Sequence, residues 1–188
     1  MTPADLPHLR ISAIKADCCV GHFDASPWIG ENWIGYICTA DGRLIRGRFR
    51  QVDLDASICA FYPDDATIIS GLRSGVSYLY LDGYWGERAE LVLDEHRNWE
   101  RREFEPSDAL RYPTATGGSM ITKSSADAPT GGEVIQGGWD HEHCEICWQT
   151  ISLADQPVGY FSPPRNWICD RCHTNYVICR SLAFIRTA

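Results

Sequence analysis

With 188 residues, 44% of them apolar, and seven Trp, eight Tyr and six Phe, the chain carries enough hydrophobic mass to pack one domain or a domain plus a small appendage, which excludes a disordered polypeptide. A formal net charge of −8 opposes phosphate backbones, because a nucleic-acid binder gains affinity by displacing counterions with Lys and Arg. Nine cysteines are an odd count for a disulfide framework, and four of them fall in two C-x-x-C pairs, a pattern that points to metal in a reducing compartment.

The opening residues MTPADLPHLRISAIKADCC lack a basic start followed by a long apolar run. No stretch approaches the ~18 apolar residues that a bilayer crossing needs. The expectation is therefore a cytoplasmic protein with no membrane partner.

Four stretches in the first half read as strands: HLRISAIKA from His8, NWIGYICTA from Asn32, GRLIRGRFRQVDLD from Gly42, and GVSYLYLDGYWGERAELVLDE from Gly75. Each is rich in β-branched or aromatic residues, and several alternate apolar with polar. Asp41-Gly42 and Asp82-Gly83 lie between such runs, and an Asp-Gly pair readily takes the positive φ of a tight turn, so two hairpins are expected. In RLIRGRFR, Leu44, Ile45 and Phe49 are interleaved with Arg43, Arg46, Arg48 and Arg50, which reads as a strand with one wet, basic face. Helical periodicity is weak here. LVLDEHRNWERREFE is the best candidate for a short helix or a last strand. The expected fold class is mainly β, an antiparallel sheet, sandwich or small barrel, with a small C-terminal zinc-ribbon-like α+β module.

From Tyr112 the texture turns to YPTATGGSMITKSSADAPTGGEVIQGG, nearly devoid of large apolar groups. The domain expectation is thus a β-rich domain over 1–111, a flexible linker or long loop over 112–137, and a metal-binding module over 138–188. Fifty residues are few for an independent hydrophobic core, and a metal supplies what the core lacks.

Cys144-Glu145-Ile146-Cys147 and Cys169-Asp170-Arg171-Cys172 are two C-x-x-C knuckles separated by twenty-one residues, close to zinc-ribbon spacing. Two intervening residues let a tight turn aim both thiolates at one ion, and two such turns complete a tetrahedron. The expected ligands of one structural Zn²⁺ are Cys144, Cys147, Cys169 and Cys172. His141 and His143 flank the first knuckle and His173 follows the second, and any one of them could replace a thiolate. Trp139, Trp148, Trp167, Tyr160, Phe161 and Tyr176 are expected to form a miniature core. HTNYVICRSLAFIRTA is expected to be a terminal helix holding Cys179 as a buried free thiol.

Two catalytic arrangements compete with this reading. His143-Cys144-Glu145 followed by Cys169 and Cys172 matches the ligand order of zinc nucleobase deaminases, with Glu145 as proton shuttle. Against it, Cys144 and Cys147 would form a second knuckle for no purpose. Cys18 or Cys19 with His22 and Asp24 could supply a thiol and a base, but adjacent strand residues point to opposite faces and nothing nearby lowers a thiol pKa. No glycine-rich phosphate loop or G-x-S-x-G turn is present, so a non-enzymatic protein is expected.

The string GGWDHEHCEICWQTI with GYFSPPRNWICDRC resembles the C-terminal segment of small bacterial proteins ending in W-D-H-E-H-C-x-x-C-W and W-x-C-x-x-C. The resemblance spans Trp139 to Cys172. Some proteins of this kind look like immunity or accessory proteins of toxin systems. The resemblance implies a zinc-stabilised protein-binding module that neutralises a bacterial toxin, with a protein partner such as a basic toxin domain. The alternative is a nucleic-acid or transcription-associated zinc ribbon using the Arg43 to Arg50 stripe.

Overall fold

The computed structural model describes residues 7–24, 33–53, 57–114, 116–124 and 130–186. These fall into two compact units, one spanning Met1–Asp94 with Arg180–Ala188 and the other Glu95–Cys179.

The first unit is a closed barrel of six antiparallel strands: β1 (His8–Ile14), β2 (Cys19–Phe23), β3 (Trp33–Cys38), β4 (Leu44–Asp53), β5 (Ile58–Pro63) and β6 (Ser77–Asp82). Around the barrel the order is β1-β2-β5-β4-β3-β6, and β6 closes back on β1 through His8 opposite Leu79. Alternation sets the faces. Along β4, Ile45, Gly47 and Phe49 are buried while Arg46, Arg48 and Arg50 are exposed, so the expected basic face lies on the outside of the barrel. Leu9, Ile11, Cys19, Ile37, Phe49, Cys59, Phe61 and Tyr80 are among the side chains filling the interior. The Phe49 ring sits 4.6 Å from Phe61 and 4.9 Å from Tyr80, centroid to centroid. Gly35 on β3 pairs with Gly47 on β4, and both point into this packed interior. A Cβ at Gly47 would lie 2.6 Å from the Phe61 ring, so the barrel is narrow there because both positions lack side chains.

Expected strands from His8, Asn32 and Gly42 correspond to β1, β3 and β4, although Asn32 and residues 54–55 lie outside the described residues. Asp41-Gly42 makes the β3–β4 turn, with Gly42 at φ +83°. Asp82-Gly83 does not make a hairpin. Asp82 caps helix α1 (Gly83–Leu93), its carboxylate accepting the Trp85 N–H at 2.9 Å. The same short acidic side chain serves either structure. What decides is the sequence that follows, whose buried Gly86, Ala89 and Val92 recur at helical spacing. Helix α1 rests on the outer surface of the barrel: Gly86 lies against the Tyr36 ring, and Tyr36 donates to Glu90 at 3.2 Å.

The second unit is built from small antiparallel sheets. Strands β7 (Glu100–Glu103), β8 (Ser107–Pro113), β9 (Ser119–Lys123), β10 (Glu133–Trp139), β11 (Glu142–His143), β12 (Thr150–Ile151), β13 (Val158–Ser162) and β14 (Asn166–Cys169) follow in order. They form a β10-β8-β9 sheet, a β11-β12 pair and a β14-β13-β7 sheet. The stretch expected as a linker over 112–137 therefore carries β9 and most of β10, and the units divide at Asp94 rather than near 112; residues 125–129 lie outside the described residues. The composition is misleading because this sheet is wet: Met120, Ile121 and Val134 are all at least 49% exposed, so its strands carry few large apolar groups.

The terminal helix expected over 173–188 is broken into wider turns over His173–Val177, which continue the single turn at Asp170–Cys172, and a separate 3₁₀ turn at Ala183–Arg186; residues 187–188 lie outside the described residues. Arg180 at φ +48° interrupts it, and the residues from Arg180 onward group with the barrel unit, where Phe184 packs 6.2 Å from Trp85. Cys179 is exposed, not buried. No helix among the described residues is long and apolar enough to cross a membrane.

Candidate metal centre

Both knuckles are held by backbone hydrogen bonds. The first is the turn between β11 and β12: the Cys144 N–H donates to the Gln149 carbonyl at 2.9 Å, and the Trp148 N–H donates to the Cys144 carbonyl at 2.9 Å. Trp148 takes φ +62° to complete this turn. The second knuckle begins where β14 ends at Cys169 and closes over the helical turn Asp170–Cys172. The Glu145 N–H donates to the Trp167 carbonyl at 2.9 Å, tying one knuckle to the other.

This arrangement brings together the four cysteines singled out from the sequence. The sulfurs of Cys144, Cys147, Cys169 and Cys172 all lie within 4.8 Å of one another, and Cys147 Sγ is 3.6 Å from Cys169 Sγ. Zn–S bonds of ~2.3 Å in a regular tetrahedron place sulfurs ~3.8 Å apart, so the cluster has the dimensions of a four-thiolate metal site. Cys144, Cys169 and Cys172 are at most 2% exposed, and Cys147 forms the partly open edge.

Thiols this crowded cannot all ionise unaided. Hydrogen bonds from Cys144 and then Cys172 hold the Cys169 thiol well below its ordinary pKa, whereas the same contacts with Cys144 and Cys169 push Cys172 up. A divalent cation makes four thiolates compatible at one point, which is why this donor set fits a metal ion. The Arg171 guanidinium lies beside Cys147, whose thiolate raises its pKa. Sequence reasoning passed over Arg171; its place inside the second C-x-x-C was the available signal. A cation there offsets the negative charge that four thiolates leave on a divalent ion.

None of the three histidines joins the group. His141 Nδ1 lies 2.6 Å from Asp140, His143 Nδ1 faces the Trp148 carbonyl at 3.3 Å, and the His173 ring stacks on Tyr160 at 3.5 Å. Of the His143, Cys169 and Cys172 set required by the deaminase order, only the two cysteines are in the cluster. Trp167 is buried and packs against Phe104 and Phe161, but Trp148, expected in that miniature core, is 58% exposed.

In the barrel unit, Cys19 is fully buried in the interior and burial pushes its thiol up to about 12. Cys18 points the other way and is also raised by burial, while His22 is exposed and Asp24 pairs with His8 at 3.4 Å. Cys19 and His22 thus lie on opposite faces of β2. Comparison of the chain with protein-family models, with curated proteins and with solved structures returns no match.

Proposed function

We propose that this is a non-enzymatic protein-binding protein whose C-terminal unit is stabilised by one structural Zn²⁺, and that it acts as an immunity protein neutralising a bacterial toxin. The observation that carries the metal half is the closed set of four sulfurs within 4.8 Å, three of them buried. Zn²⁺ favours four soft ligands in a tetrahedron, and a shell completed by protein leaves no position for substrate. Support for the binding half is the likeness of Trp139–Cys172 to immunity-like bacterial proteins. Acidic character adds to it, since a net charge of −8 suits a basic toxin surface and speeds encounter.

The test has two parts. Elemental analysis of purified protein is expected to give one zinc per chain, and replacing any of the four cysteines by serine is expected to weaken its retention against a chelator. The immunity role requires a toxin gene beside this one; co-expression with that toxin is expected to restore growth, and absence of such a gene or growth arrest in the presence of this protein refutes the immunity role.

The exposed arginine row of β4 supports a second reading, a nucleic-acid-associated zinc protein. Its weight is reduced by Asp64, which holds Arg46 at 2.6 Å. A salt-dependent gel shift lost in Arg48→Ala/Arg50→Ala would favour it over the first.

A further inference from the structure

We propose that the outer side of the first knuckle is a docking surface for a protein segment that pairs an aliphatic side chain with a lysine or arginine. This deepens the protein-binding reading and rests on it.

Trp148 starts the argument. The fold needs a positive φ at this position, and glycine or asparagine meets that need at least cost. Instead the chain places an indole there and leaves it 58% exposed. Tryptophan is among the residue types enriched at binding hot spots, and a rigid turn presents it at low entropic cost. The ring does not stand alone. His143 lies 5.7 Å from Trp148, and His141 lies 4.9 Å from His143, so three rings form a row across the knuckle.

The row leads to a cavity of about 440 Å³. His141 forms one wall, and Pro106, Leu153 and Ala154 supply apolar surface, with Leu153 57% exposed. That size has room for an aliphatic side chain together with a neighbouring side chain. Asp140 also lines the cavity, its carboxylate bonded to His141 Nδ1 at 2.6 Å. No lysine or arginine is among the described residues lining it. Lys123, close to this segment, is engaged by Glu142 at 3.0 Å. An apolar hollow with a carboxylate at its edge complements a cationic neighbour of the inserted side chain. The same charge works against a single-stranded nucleic acid stacking on the rings, which would need cations for its phosphates.

The metal cluster and this surface share a backbone. The Trp148 N–H bonds to the carbonyl of Cys144, and Cys144 is bonded in turn to Gln149. An ion holding Cys144 and Cys147 fixes the turn that presents the indole, which gives a structural metal a role in recognition.

The test uses the full zinc-loaded chain and two acetylated hexapeptides, one with a central Leu-Arg and one with Leu-Glu, followed by NMR at the Trp148 indole N–H and the Leu153 methyls. The Leu-Arg peptide is expected to shift both, and the Leu-Glu peptide to bind at least about fivefold more weakly. Trp148→Ala is expected to weaken binding about tenfold or more, Leu153→Ser to weaken it as well, and Asp140→Asn to abolish the preference between the peptides. Absence of shifts up to millimolar peptide, equal binding of both peptides, or shifts produced by oligo(dT) in their place overturns the proposal. Toxin protection undiminished in Trp148→Ala and Leu153→Ser also overturns it, while leaving the immunity role intact. Peptide binding without toxin protection removes the immunity role and supports the surface.

Discussion

With the proposed zinc in the four-cysteine cluster, its removal is expected to unfold the second unit while the barrel keeps its structure. Among the described residues of that unit, the large buried apolar side chains are Phe104, Ile146, Ile151, Trp167 and Ile168. Each contributes ~1.5–3 kcal/mol on burial. A structural zinc contributes ~10–16 kcal/mol in small metal-folded domains, as much as those five side chains together. The barrel interior, by contrast, is filled without the cluster. Loss of one ligand, as in Cys169→Ser, is expected to cost about a quarter of the metal's contribution, roughly 3 kcal/mol or more. For a unit of this size that lowers its melting temperature by more than about 10 °C. Cys179→Ser, at an exposed thiol, is the matched control and should stay within ~0.5 kcal/mol. Hydrogen exchange resolves the two units in one experiment: after chelation the amides of Cys144, Glu145 and Trp148, all bonded in the knuckles, should lose protection while those of β3 and β4 keep it. Retained protection in the knuckles after the metal is gone, or a Cys169→Ser variant as stable as Cys179→Ser, refutes the reasoning.

Other expectations follow from the barrel. Gly86→Ala gains ~1 kcal/mol of helix propensity, yet its Cβ would overlap the buried Tyr36 ring, so a net loss of about 1–2 kcal/mol is expected in urea unfolding; a stabilised variant would show that α1 does not pack this closely. Phe49→Ala empties a fully buried ring site between Phe61 and Tyr80 and should cost ~3–5 kcal/mol by the same assay. Burial pushes Cys19 and Cys59 from 9.0 up to about 12, so the folded barrel keeps both protons where the unfolded chain releases them. Stability should therefore fall as pH rises from about 9 towards 12, with a slope of ~1.4 kcal/mol per pH unit for each thiol. Denaturant melts of Cys59→Ala over this range should show a shallower decline, and an unchanged slope would mean that the thiol is not the cause.

The metal cluster was legible because its chemistry is local. A C-x-x-C turn aims two sulfurs whatever surrounds it, and two such turns have few other uses. Strands β1, β3 and β4 were legible for a similar reason, since their alternation and the Asp41-Gly42 turn lie in continuous sequence. Strands β2 and β5 went unseen. CVGHF and ICAFYP are short, carry cysteines and small residues, and declare themselves only by pairing across the barrel, with each other at Cys19 opposite Phe61 and with β1 and β4 on their other edges. Sidedness was equally hidden: nothing local distinguishes Trp167, buried against Phe104, from Trp148, which stands in solvent.

What the amino-acid sequence determined alone was the β-rich character, the wet arginine face of β4 and the identity of the four clustered cysteines, because each depends on residue type at short spacing. Only the tertiary structure decided that six strands close into a barrel, that Asp82 caps a helix and that 112–137 pairs into a sheet. It also placed the last residues with the barrel unit. Those outcomes rest on contacts between residues far apart in the chain, whose free energy no short window contains.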